Sequence, residues 1–128
     1  MSLKVIAAVA AGGAAGSVLR HLTMARIGAH LGTDFPWGTL AVNVLGSFVM
    51  GVLVEVMALV WSTSQEVRAL LTVGVLGGFT TFSTFSLDVA TLIGRGQHGL
   101  AAGYAVASVV ASVGGLFLGL GVVRQVMG

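Results

Sequence analysis

The chain has 128 residues, 56% of them hydrophobic and 8% charged, against about 25% charged in ordinary soluble domains. Six basic and four acidic residues leave a net charge of +2, too small and too scattered for a nucleic-acid footprint. No cysteine is present, which excludes disulfides and thiolate metal sites.

A mean hydropathy of +1.04 points to lipid as the solvent. Uncharged stretches run from Val5 to Leu19, Phe35 to Val54, Ala69 to Leu87 and Gly96 to Val123. A helix crossing the hydrocarbon needs roughly 20 apolar residues. The last three stretches meet that length or nearly so, and the first does if Lys4 and Arg20 snorkel toward headgroups. Backbone groups in lipid must be paired internally, and the alternating pattern of a barrel is missing, so the spans should be helices. The expectation is an all-α membrane protein, one transmembrane domain over 1–128, with helices at roughly 3–30, 37–61, 66–94 and 97–126.

Helix one carries Gly12, Gly13 and Gly16 and runs into Arg20 with no cleavage site, unlike a signal peptide. The single proline, Pro36, suits the start of helix two, where its missing N–H is an orphan anyway. Asn43, preceded by Thr39, is an amide deep in that helix. Lipid cannot satisfy its donors and acceptor, so it either ties helices together or faces a polar pathway. Thr63 or Ser64 can cap helix three, with Glu66 in its first turn.

Helix three is the unusual one, reading Val73-Gly74-Val75-Leu76-Gly77-Gly78-Phe79-Thr80-Thr81-Phe82-Ser83-Thr84-Phe85-Ser86. Each interior glycine costs about 1 kcal/mol relative to alanine, and the threonines do not restore it. The run predicts a break near the membrane centre, tolerated where it is buried in protein or lines a cavity, and freed carbonyls there make a cation site. The alternative is a kinked packing helix. Phe79, Phe82 and Phe85 form a stripe that is core, lipid contact, or a set of electropositive ring edges.

In helix four, Gly99, Gly103, Ala107, Ala111, Gly115 and Gly119 recur every fourth position, a stripe that lets backbones approach. Tyr104, Ser108 and Ser112 lie in line beside it, either as a ladder of donors or bonded back to helix carbonyls. Lys and Arg placement is balanced: Lys4, Arg68 and Arg124 fall on one side, Arg20, Arg26 and Arg95 on the other. With no bias to set orientation, the chain can insert both ways and pair head to tail. Four helices are few for an aqueous pathway, which favours a dimer.

Three motifs together resemble the CrcB or Fluc fluoride channels: Gly12-Gly13-x-x-Gly16-x-x-x-Arg20, Gly38-Thr39-Leu40-x-x-Asn43-x-x-Gly46, and the helix-three run from Gly74 to Ser86. With the helix-four ladder, the likeness spans essentially the whole chain. It implies an antiparallel, dual-topology homodimer in the lipid of a bacterial inner membrane, with two fluoride pathways. On this analogy Phe82 and Phe85 present ring edges to fluoride and Asn43 donates an amide N–H. Tyr104, Ser108, Ser112 and Thr39 continue the track. The carbonyls of Gly77 and Thr80 would hold a structural sodium ion, and Arg20 would make the vestibule electropositive. Fluoride entering cells as HF would ionise and leave passively. Where the family pattern has Glu after Ser86-x, this chain has Asp88.

Two other readings compete. A small dual-topology multidrug transporter needs a carboxylate mid-membrane; helix one has none, and Glu55 lies toward the end of helix two. A non-conducting assembly subunit explains the glycine stripe but not the cluster of Asn43, hydroxyls and phenylalanines. An enzyme fits least, because His21, His30 and His98 lack metal-ligand spacing and carboxylate partners.

Overall fold

A computed structural model describes residues 2–128. Helix α1 (Leu3–Leu31) is capped by the Ser2 hydroxyl, which accepts from the Val5 N–H at 3.1 Å. Helix α2 (Trp37–Leu59) starts directly after Pro36. The third span opens with α3 (Gln65–Arg68), where Ser64 Oγ accepts from the Val67 N–H. It widens into a π-helical segment over Ala69–Leu76 and closes with the short α4 (Gly77–Phe79). Thr80 (φ −90°, ψ 157°) and Thr81 (φ −151°, ψ 119°) are then extended. Helix α5 (Phe82–Gly94) completes the span and α6 (His98–Met127) ends the chain.

Four helical spans, Leu3–Leu31, Trp37–Leu59, Gln65–Gly94 and His98–Met127, are long and apolar enough to cross a membrane. No strand occurs among the described residues. An all-helical chain with four such helices agrees with the hydropathy reading.

The packing divides into two halves that α2 joins. Helix α1 lies along the π-helical segment and α4, while α6 lies along α2 and α5. Each half meets through glycine because lipid supplies no hydrophobic force between helices, and close backbone contact takes its place. A Cβ at Gly12 would stand 3.0 Å from the Gly74 Cα, and one at Gly51 2.1 Å from the Leu116 carbonyl oxygen. The helix-four stripe serves this purpose only at its C-terminal end. Gly115 and Gly119 abut α2, whereas a Cβ at Gly99 or Gly103 meets nothing among the described residues.

A small aromatic cluster sits between α2, α5 and α6. Tyr104, Leu92 and Ala101 are buried there, ringed by Phe35, Leu40, Phe85 and Val89. Phe79 is also buried, but Phe82 is 76% exposed. The extended pair Thr80–Thr81 removes the helical register that would place these two rings on one face.

Candidate functional site

Helix α2, the third span around Thr80–Thr81, and α6 enclose a groove of about 510 Å³. Six of the residues singled out from the sequence line it: Asn43, Thr80, Phe82, Phe85, Ser108 and Ser112. They come from three spans and up to 69 positions apart in sequence (112 − 43). None of its lining residues is charged.

The side of the groove facing the extended pair is built by Asn43. Its Nδ2 donates to the Thr81 carbonyl at 3.0 Å, and its Oδ1 accepts from the Thr81 N–H at 2.7 Å. One N–H of the amide remains uncommitted by these two bonds. The Thr81 hydroxyl accepts from the Thr84 N–H at 3.2 Å, capping α5, and reaches Thr84 Oγ1 at 3.2 Å. In a continuous helix the Thr81 N–H would close on Gly77 and the Thr84 N–H on Thr80. Both donors go to side chains instead, which releases the Gly77 and Thr80 carbonyls from those helical partners.

Aromatic rings line the next stretch. Phe82 and Phe85 have centroids 5.4 Å apart at 49°, and Phe85 lies 5.3 Å from Tyr104. Tyr104 is buried behind the groove, its hydroxyl donating to Asp88 Oδ2 at 3.0 Å, and Phe35 meets it edge-on. Ser108, buried one turn along α6, has an Oγ with no hydrogen-bond partner among the described residues. It therefore does not bond back to its own helix. Ring edges carry partial positive charge, so phenylalanine rings, an amide N–H and hydroxyls give this groove a donor-rich, uncharged lining.

Thr39 is buried on α2 one turn before Asn43 and does not line the groove. Arg20 stands apart, lining a second cavity of about 370 Å³ with His21, Met24, Ala25 and Thr84. Thr81 was missed as a site residue in the sequence. Its signal was a threonine directly ahead of a helix start, the pattern of an N-cap.

Residues 7–120 match the family model described as "CrcB-like protein, Camphor Resistance (CrcB)". The chain belongs to the CrcB family. Among its relatives, the "Fluoride-specific ion channel FluC" of Rhodospirillum centenum is 59% identical over 122 residues, 95% of this chain and 97% of that one. The protein of the same name from a Chelativorans species is 56% identical, covering 93% and 95%, and that from Nitrobacter winogradskyi is 52% identical, covering 94% and 96%. With four spans, this CrcB chain is a multi-pass membrane protein. Its Glu55 carboxylate, the group a cation exporter would need, accepts from Arg124 Nε at 2.9 Å and is tied up in that pair.

Proposed function

We propose that this protein is a fluoride-selective channel of a bacterial inner membrane, through which fluoride leaves the cell passively. The observation that carries the reading is the groove itself, which gathers Asn43, Phe82, Phe85, Ser108 and Ser112 around one uncharged space. The names of the bacterial relatives, fluoride-specific ion channels over nearly the whole chain, support the same substrate.

The chemistry suits a small, strongly hydrated anion. Dehydrating fluoride requires short donors placed close together, and the free Asn43 N–H, the Ser108 and Ser112 hydroxyls and the phenylalanine edges are of that kind. Conduction also requires that the ion leave as readily as it enters. A lysine or arginine in the groove would hold fluoride too tightly, and none lines it. Tyr104 and Thr39 extend the track beyond the rings, and Arg20 in its separate cavity draws anions toward the entrance.

The working unit in this proposal is an antiparallel, dual-topology homodimer with two pathways, one along each subunit's groove. Balanced basic residues on the two sides support it, and so does the open N-terminal half of the α6 stripe at Gly99 and Gly103. The third span is interrupted near the membrane centre at Thr80–Thr81, whose extended dihedrals favour this reading. A structural sodium ion fits the same place. Hard cations take oxygen ligands, and the released carbonyls of Gly77 and Thr80 are the residues that would hold it, supplying positive charge at the interruption. A reporter fused to the C-terminus should give signal from both sides of the membrane; signal from one side alone refutes dual topology.

The deciding experiment is efflux from liposomes holding purified protein, followed with a fluoride electrode and compared with chloride. Rapid fluoride release with little chloride release is expected. No fluoride release at any protein density would leave a packing subunit as the better account.

A further inference from the structure

Asn43 makes two bonds to one peptide unit 38 residues away, and both go to the main chain of Thr81. A helix that gives way to extended chain leaves main-chain donors and acceptors without intrahelical partners, and in a membrane such groups must be satisfied by protein. The carboxamide supplies both partners. It presents one acceptor and one donor in a fixed plane, matching the N–H and C=O of a peptide.

From this we infer that Asn43 is the positioning residue that keeps Thr80–Thr81 extended, by taking the Thr81 N–H that helix formation would return to Gly77. The inference deepens the channel reading and rests on it for its functional half. Three further features belong to the same clamp. Gly46, one turn along α2, leaves room for Thr80, since a Cβ there would lie 2.4 Å from the Thr80 methyl carbon. The Thr80 hydroxyl donates to the Leu76 carbonyl at 3.0 Å, so that methyl is held toward α2. The Thr81 hydroxyl in turn takes the Thr84 N–H. The clamp thus acts on three consecutive things: it leaves the Gly77 carbonyl without its helical donor, fixes the start of α5, and through α5 sets where Phe82 and Phe85 stand.

A pure ion ligand and a positioning residue differ in what their loss does to the backbone. The test is amide hydrogen exchange at single-residue resolution on the parent, Asn43→Ala and Asn43→Asp proteins in nanodiscs, without fluoride. Aspartate keeps an acceptor for the Thr81 N–H, whereas alanine has none. The Thr81 amide should exchange about fivefold faster in Asn43→Ala than in the parent, as expected when a bond worth about 1 kcal/mol is lost. It should stay protected in Asn43→Asp, and the amides of α1 should not change in either. If alanine prevents folding, Asn43→Ser takes its place, being polar but too short to reach both Thr81 groups. Equal Thr81 protection in the alanine (or serine) and aspartate variants overturns the inference. Fluoride efflux supplies the second readout: Asn43→Ala should lose most of it, and parent-like efflux beside a fast-exchanging Thr81 overturns the functional half. A parent protein that passes no fluoride would sink the channel reading instead, while the exchange contrast would still decide what Asn43 does.

Discussion

The ring of Phe85 lies 5.3 Å from the ring of Tyr104, inclined at 47°. Tyr104 is 1% exposed and anchored to Asp88 through its hydroxyl, so Phe85 is braced from behind while its other side meets Phe82. Phe82 has no such brace and stands open to the groove. Replacing either ring with isoleucine should block fluoride efflux, because isoleucine has no electropositive edge. Phe82→Ile should change thermal stability little, whereas Phe85→Ile should cost about 1–3 kcal/mol from its packed position. Efflux from liposomes and melting curves in detergent check both statements; a conducting isoleucine variant would make the ring edges dispensable.

Asn43→Asp should suppress conduction at neutral pH. An ionised carboxylate puts negative charge beside an anion path, and it cannot donate to the Thr81 carbonyl as the amide does. Repulsion between two oxygens replaces a hydrogen bond. Unchanged efflux from this variant would remove Asn43 from the pathway.

Gly51→Ala should destabilise the protein by about 1–3 kcal/mol. Its Cβ would fall 2.1 Å from the Leu116 carbonyl oxygen, a main-chain atom that moves only if α2 and α6 separate. Gly121→Ala, near the end of α6 with no atom of the described residues within contact distance, should be neutral or gain up to about 1 kcal/mol from helix propensity. Thermal unfolding of the two variants side by side should show Gly51→Ala melting at the lower temperature, and equal melting temperatures would contradict the close α2–α6 contact.

Arg124→Gln and Glu55→Gln should not be equivalent. Glu55 is 8% exposed, while the Arg124 side chain is 64% exposed. Removing the arginine strands a buried carboxylate and should cost about 1–3 kcal/mol. Neutralising Glu55 instead leaves Arg124 free to reach solvent, so Glu55→Gln should be the milder change. Denaturation of each single variant and of the pair decides this, with a milder Arg124→Gln counting against a buried Glu55.

Some of the site was readable along the chain and some was not. Asn43 was legible as an amide that lipid cannot satisfy, yet whether it ties helices or faces a path could not be decided. Its partner is a peptide group, and peptide groups carry no residue signature. Thr81 was hidden for the same reason, lying among hydroxyls of equal chemistry. The spacing of Phe79, Phe82 and Phe85 suggested a single stripe, but two extended residues between the first and second put Phe79 in the core and Phe82 in the open. The helix-four stripe was likewise read as one face, although of its glycines Gly115 and Gly119 abut α2 while Gly99 and Gly103 do not.

Hydropathy and chain length alone determined that there are four helical spans, because the hydrocarbon thickness and the need to pair every main-chain group leave no other arrangement for such stretches. Which polar groups meet was decided by tertiary structure. Hydrogen bonds such as those of Asn43 with Thr81 and Tyr104 with Asp88 depend on the rotation and depth of each helix against its neighbours. Those are set by glycine contacts between backbones, and a single stretch of sequence does not contain the surface it will pack on.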